Sequence, residues 1–231
     1  MAETETVAQP AVEDERIILD PEELGAQDAY HLLNAVVAPR PIAWVSTRGP
    51  AGVANVAPHS YFTVLATQPP TLGFVSVGRK DTLRNIEATG EYVVNIAGLD
   101  LAERLNLTSA DFPPEESEFA WAGLTPVGSD LVAVPRVGEA PVAMETQLVE
   151  VKPIGNSFLV IGEVLRWHLK PAIMAGDRPD PARIRPFGRH AGSQYSQAGG
   201  FFNLTRPTWA DLSRDRRDGA HLDGVGDERE R

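Results

Sequence analysis

Between residues 40 and 169 the chain is a series of short β-rich runs, each stopped by a turn cluster, and this punctuation narrows the folds open to it. RPIAWVST (40–47) ends in RGPAG (48–52), a Gly- and Pro-rich turn. VANVAPHSYFTVLA (53–66) resumes as strand. Proline lacks the N–H a ladder needs, so a break, bulge or sheet edge is expected at Pro58. QPP (68–70) punctuates again, and TLGFVSV (71–77) and EYVVNIA (91–97) read as further strands. APVAMETQLVEVKPIG (140–155) and NSFLVIGEVLRWHL (156–169) read as a long hairpin turning at Gly155-Asn156. Helical signals are few and short. They are DAYHLLNAVV (28–37) with Asp28 as cap, DTLRNIEAT (81–89) with Asp81 as cap and Gly90 as stop, and LDLAERLNLTSA (99–110). Residues 111–129 read as loop. The pattern indicates a mainly β fold with minor α, an antiparallel barrel or sandwich in one domain.

Charge sets aside several functions. The formal net charge is -11, but it is concentrated at the ends, chiefly in residues 1–23, and the middle is nearly neutral. Such ends are expected to be solvated: an acidic, disordered arm over 1–22 and a charged, disordered tail over 206–231. No basic stripe suggests nucleic-acid binding. No run approaches the ~18 apolar residues of a membrane helix. The N-terminus lacks the basic start and apolar stretch of a signal peptide. The chain has no cysteine, which excludes disulfides, thiolate metal sites and cysteine nucleophiles. A cytoplasmic location is the expectation.

Two stretches carry chemistry. In SVGRKDTLRNI (76–86) a strand ends at Gly78, where the backbone must turn, and Arg79 and Lys80 stand beside a helix start. A helix N-terminus offers free N–H groups and the positive end of a dipole, and Thr82 adds a hydroxyl. The combination suits a phosphate, although a solvated basic turn would also read this way. In NVAPHSYF (55–62) a broken strand leaves backbone groups unpaired, and these can read the polar edge of a flat heterocycle. An ordinary bulge would read the same.

Taken in order, PRPIAWVST, NVAPHSYF and PPTLGFVSVGRKDTLRNIEATGEYVVNI resemble the flavin reductase-like, FMN-binding split-barrel family, in its flavoredoxin-like branch. The resemblance continues through LTSADFPP (107–114), FAWAGLTPVGS (119–129), APVAMETQLVEV (140–151), LVIGEVLRWHL (159–169) and RPFGRHAGSQY (185–195). It implies an FMN-binding split β-barrel domain over 23–205 with a few flanking helices, assembled as a homodimer. Ser46 and Thr47 would then lie along the ribityl phosphate chain. Ala57, His59, Ser60, Tyr61 and Phe62 would flank the isoalloxazine. Gly78, Arg79, Lys80 and Thr82 would hold the phosphate, with Asn85 reaching toward it. Gly188, Arg189, His190 and Tyr195 would approach the exposed ring face. His59 departs from the aromatic residue many relatives carry there. His59, His190 and Tyr195 are the candidates for a chemical role, and none is obligatory for hydride transfer. The implied activity is an NADH- or NADPH-dependent flavin reductase, feeding a flavin-dependent monooxygenase or another acceptor. The alternatives are a flavoredoxin-like electron carrier holding FMN tightly and an FMN-dependent oxidase or oxygenase of a small organic substrate.

The remaining candidates have plain readings. His31 reads as structural, His168 as solvent-facing and His221 as part of the tail. Trp44 and Trp167 read as core. Glu115-Glu116 reads as solvated. No HExxH or close ligand pair indicates a metal, and Ser60 lacks the GxSxG setting of a serine hydrolase.

Overall fold

A computed structural model describes residues 16–210, 212 and 213. The helix α1 (Ala26–Val36) precedes β1 (Ala43–Arg48), β2 (Ala54–His59), β3 (Phe62–Thr67) and β4 (Pro70–Val77). Then come α2 (Asp81–Thr89), β5 (Glu91–Ile96), a 3-10 turn (Leu99–Leu101), α3 (Ala102–Leu107) and α4 (Glu118–Trp121). Next are the short pair β6 (Pro126–Val127) and β7 (Arg136–Val137), then the long β8 (Val142–Ile154) and β9 (Ser157–Leu169). The remaining elements are β10 (Met174–Ala175), β11 (Arg178–Pro179), α5 (Pro181–Ile184), β12 (Phe187–Arg189) and β13 (Tyr195–Gln197). Among the described residues, those through Ala198 make one compact unit and those from Gly199 make another. Of the expected arm and tail, residues 1–15, 211 and 214–231, with His221 among them, lie outside the described residues.

Seven strands form one antiparallel sheet in the order β2-β1-β5-β8-β9-β4-β3. The two outermost strands are consecutive in the chain and separated only by Ser60 and Tyr61. One bent run therefore supplies both edges, and the sheet curls into a barrel that is split along this run. Pro58 fits because β2 pairs on one side only, with Trp44 of β1 opposite the proline. The break falls at Ser60-Tyr61, just after the expected position, and Pro58 itself is the edge residue.

Alternation on the strands makes the core. Ala43, Val45, Phe74, Tyr92, Val94, Met144 and Val160 fill the barrel, with Leu83 and Ile86 of α2 packed among them. Gly162 faces this interior at a position where a Cβ would lie 2.0 Å from the Tyr92 hydroxyl. The opposite face of β1 is covered as well. Trp44 packs with Val56, Leu101, Leu105 and Phe119, and its indole N–H donates to Thr108 Oγ1 at 2.9 Å.

Several local expectations are corrected. α1 starts at Ala26 with Gly25 as its N-cap, and Asp28 lies inside the first turn without a capping bond. The N-cap of α2 is Lys80, in extended backbone, and Asp81 instead pairs with Arg84 at 2.6 Å. Gly90 does end α2, at φ 73. Residues 99–110 split into a 3-10 turn and α3, and the 111–129 segment contains α4 and β6. A β-bulge between Glu145 and Thr146 shifts β8 against β9. His168 therefore meets buried Glu145 at 2.5 Å instead of solvent, while Trp167 is 50% exposed instead of core. His31 lies exposed on α1 with its ring edge against Tyr30.

Candidate functional site

A cavity of about 500 Å³ opens beside the split. That volume lies within the ~300–1,000 Å³ of small-molecule sites. Its walls are α1, the end of β2, the turn into α2, the 108–114 loop and the β12–β13 hairpin.

One end is the turn before α2. Gly78 takes φ +77, which a side chain resists, so the chain leaves β4 and enters α2 within three residues. No side chain caps α2, so its first N–H groups remain available. Arg79, Lys80 and Arg84 stand around this helix end and line the cavity. Each has an acidic partner: Arg79 pairs with Glu87, Lys80 with Asp111 at 3.0 Å, and Arg84 with Asp81. All three pairs are exposed, so an incoming anion competes with contacts worth only ~0–1 kcal/mol each.

The other end is the broken strand. Ala57, His59, Ser60 and Tyr61 line the cavity. β2 pairs in the sheet only with β1; on its outer edge Ser117 and Glu118 meet Ala54 and Val56, and the end of the strand beyond them borders the cavity. His59 is buried, with its ring 4.7 Å from Phe74 and no partner at Nε2. Burial pushes its pKa down to about 4; the Val75 backbone opposes the shift and the Lys80 charge adds to it. His59 is therefore a neutral imidazole at pH 7. Tyr61 exchanges hydrogen bonds with Asn34, and the Arg40 guanidinium lies 5.7 Å from its ring centre.

The C-terminal hairpin completes the wall. Arg40 and Arg189 exchange backbone hydrogen bonds at 2.9 Å, which joins β12 to the segment before β1. Gly188 allows this approach, since a Cβ there would sit 2.7 Å from Pro39. The Arg189 guanidinium stacks 4.5 Å from the Tyr195 ring centre, and His190 Nε2 lies 2.7 Å from Ser196 Oγ.

Of the residues named from sequence, Ala57, His59, Ser60, Tyr61, Arg79, Lys80, Thr82, Arg189, His190 and Tyr195 thus meet at one cavity. Ser46, Thr47, Phe62, Gly78, Asn85 and Gly188 do not line it. The Ser46 hydroxyl donates to the Pro135 carbonyl and accepts from Asn95. Thr47 accepts from Asn85 at 3.0 Å and donates to Asn55. Phe62 packs on the barrel core. Sequence reasoning missed Asn34, Arg40, Asn55, Arg84, Asp111 and Glu118, which also line the cavity. Arg40 and Asn55 stand inside motifs already quoted, but Glu118 lies in a segment that reads as loop.

Asp130, Glu145 and His168 bring three potential ligand atoms within 4.8 Å. The Glu145 oxygens already accept N–H bonds from Asp130, Leu131 and Val132 and meet His168, while Arg166 holds Asp130 at 2.8 Å. These bonds, together outweighing its burial, hold the Glu145 carboxyl below the ordinary range. The cluster anchors the 129–134 loop to β8.

The sequence matches the flavin reductase-like domain over residues 37–178. It is 39% identical over 202 residues to an uncharacterized protein of Halalkalibacterium halodurans, across 82% of this chain and 96% of the relative. The fold is similar to nitrilotriacetate monooxygenase component B from Bacillus cereus, at 36% identity and a TM-score of 0.80, across 83% of this chain and 100% of that one. It is also similar to 2-nitrobenzoate 2-nitroreductase of Pseudomonas fluorescens, at 30% identity and a TM-score of 0.78, across 84% and 98% of the two chains. The matched span carries β1 to β9 with the broken strand and the turn before α2, and the chain belongs to the flavin reductase-like family.

Proposed function

We propose that the protein is an oxidoreductase that binds FMN in this cavity and passes hydride from NADH or NADPH to it. One observation carries the reading: a single cavity joins the uncapped start of α2, with three cations, to the end of β2 and the break after it. The residues fit the group. Arg79, Lys80, Arg84 and the first N–H groups of α2 suit a phosphate monoester. The β2 edge at 57–61 suits the polar edge of a flavin ring, with apolar atoms of Val75 and Tyr61 beside it. Thr47 and Asn85 support the site from behind by holding β1 and α2 together, and Ser46 ties β1 to Pro135 and to Asn95 of β5.

Bound flavin supplies the hydride-accepting chemistry. The chain's own work is binding, orientation and exclusion of water. His59, neutral beside the ring site, places no positive charge there. Arg189, His190 and Tyr195 wall the side from which a nicotinamide approaches. The likeness to a monooxygenase component B supports a flavin-dependent monooxygenase as acceptor. A cytoplasmic homodimer is the working form we propose with it. The likeness to a nitroreductase supports a second reading, in which a small aromatic acceptor is reduced at the cavity itself.

The test is a visible spectrum followed by anaerobic addition of NADH or NADPH, with and without free FMN. Rapid bleaching with turnover of added flavin is expected. A yellow protein indifferent to both nicotinamides moves the assignment to an electron carrier. A protein that cannot take up FMN overturns the reading. Lys80→Ala should weaken FMN binding about 10- to 100-fold, the loss of one charge-assisted contact. Unchanged affinity with an intact fold removes Lys80 from the site.

A further inference from the structure

Glu118, the first residue of α4, is 4% exposed and lines the cavity. One of its oxygens accepts from Asn55 Nδ2 at 2.5 Å, and the other accepts the Val56 backbone N–H at 3.0 Å. A carboxylate only accepts, so Asn55 must turn its amide nitrogen toward Glu118 and its carbonyl oxygen away. That oxygen meets the hydroxyls of Thr47 and Thr82, each at 3.2 Å. An amide oxygen also only accepts, so both threonines give their protons to it. Thr82, in the first turn of α2, therefore offers the cavity lone pairs and no proton. This differs from its expected part as a phosphate donor.

A proton on Glu118 reverses the relay. The carboxyl then donates to Asn55, whose amide flips. The two Nδ2 hydrogens go to the two threonine oxygens, and Thr82 is free to turn its own proton into the cavity. We propose that Glu118 is a positioning residue that sets, through Asn55, whether Thr82 offers a proton or a lone pair to an anion at the start of α2. Binding a phosphate dianion there draws a proton onto Glu118. The inference rests on the reading that this end of the cavity holds the flavin phosphate.

The surroundings favour uptake of that proton. Burial pushes the Glu118 carboxyl above its ordinary range, its bonds to the backbone and to Asn55 oppose the shift, and Asp81 adds to it. The other charged or titratable groups that line this end of the cavity are Arg79, Lys80 and Arg84 at the start of α2, His59 on β2, and Asp111 on the 108–114 loop, with Arg79 paired to Glu87. His59 is neutral, and Lys80 and Arg84 are paired with Asp111 and Asp81.

The experiment is a fluorescence titration of FMN and of riboflavin, which lacks the phosphate, into wild-type protein and Glu118→Gln between pH 5.5 and 8.5. Glutamine reproduces the protonated pattern, since its Nε2 donates to a flipped Asn55 and its Oε1 accepts from Val56. At pH 8.5 the variant should bind FMN about 10-fold more tightly than wild type, the worth of one hydrogen bond to a charged group. The gap should close toward pH 5.5, and riboflavin should show none. The phosphate's own second ionisation, near ~6, acts on both proteins alike. In a Thr82→Val background the gap should vanish. Equal or weaker FMN binding by Glu118→Gln at pH 8.5 overturns the proposal. If that variant does not fold, calorimetry in two buffers of different ionisation enthalpy decides. Wild type should take up a proton on binding FMN and Thr82→Val should not, and equal uptake overturns the proposal. A wild-type protein that binds riboflavin and FMN equally well places no phosphate at α2. In that case the functional reading fails first and the inference falls with it.

Discussion

His59 ends β2 with its ring against Phe74 and its Nε2 unpartnered, so the folded state holds it neutral. Its pKa falls from 6.5 to about 4 on folding. The unfolded chain therefore takes up the proton first as pH drops. Stability is full above about pH 6.5, declines as pH falls from there toward 4, and levels off below, a loss of ~3 kcal/mol if no other group intervened. His59→Phe keeps a ring of similar shape and removes both the titration and the orphaned nitrogen. Urea unfolding of the flavin-free protein at pH 7.5 and 4.5 should show the variant at least as stable as wild type at the higher pH and much less sensitive to acid. An acid slope equal to that of wild type would place the sensitivity elsewhere. The sequence made His59 a candidate through the family resemblance of NVAPHSYF, in which it stands where many relatives carry an aromatic residue. That its Nε2 would find no donor or acceptor depends on Phe74, which reaches it through the pairing of β4 with β3, and no spacing along the chain encodes that.

α2 does two jobs, since Leu83 and Ile86 fill the barrel while its first turn faces the cavity. Ile86 is fully buried among Phe74, Tyr92 and Val94. Ile86→Ala should cost ~2–5 kcal/mol, measured by urea unfolding, and should weaken FMN binding because the helix start shifts with it. The same loss of stability with unchanged FMN affinity would mean that the Thr82–Asn55 and Asn85–Thr47 bonds hold the helix start without Ile86. Elements with a local signal were legible in the sequence. Gly155-Asn156 turns the β8–β9 hairpin as expected, Gly90 ends α2, and the turn at Gly78 brings cations to a helix start. Elements defined by distant partners were not. α4 has only four residues and is held by Ser117 to Ala54 and by Glu118 to Asn55, each bond spanning 63 residues. Ser46 and Thr47 illustrate the same limit, because their hydroxyls face the Pro135 carbonyl and Asn55 instead of the cavity.

At the scale of the molecule, the curled sheet buries its interior and leaves an outer strand bare. β3, FTVLAT, forms one edge of the seven-stranded order, and every residue after Phe62 is exposed, with Val64 at 64%. Edge strands that face water normally carry lysine, other charges or proline against pairing with a second chain. β3 carries none of these. An apolar, uncharged edge of this kind is expected to be covered, and we propose a second copy of the chain as the cover. Light scattering should give roughly twice the 25.0 kDa chain mass. Val64→Lys adds a charge at an exposed site outside the core clusters, so it should reduce the mass toward one chain while the far-ultraviolet circular dichroism stays unchanged. A wild-type mass near one chain would rule out the dimer. A dimer that survives Val64→Lys would move the interface away from β3, leaving the exposed Trp167 end of β9 as the next surface to substitute.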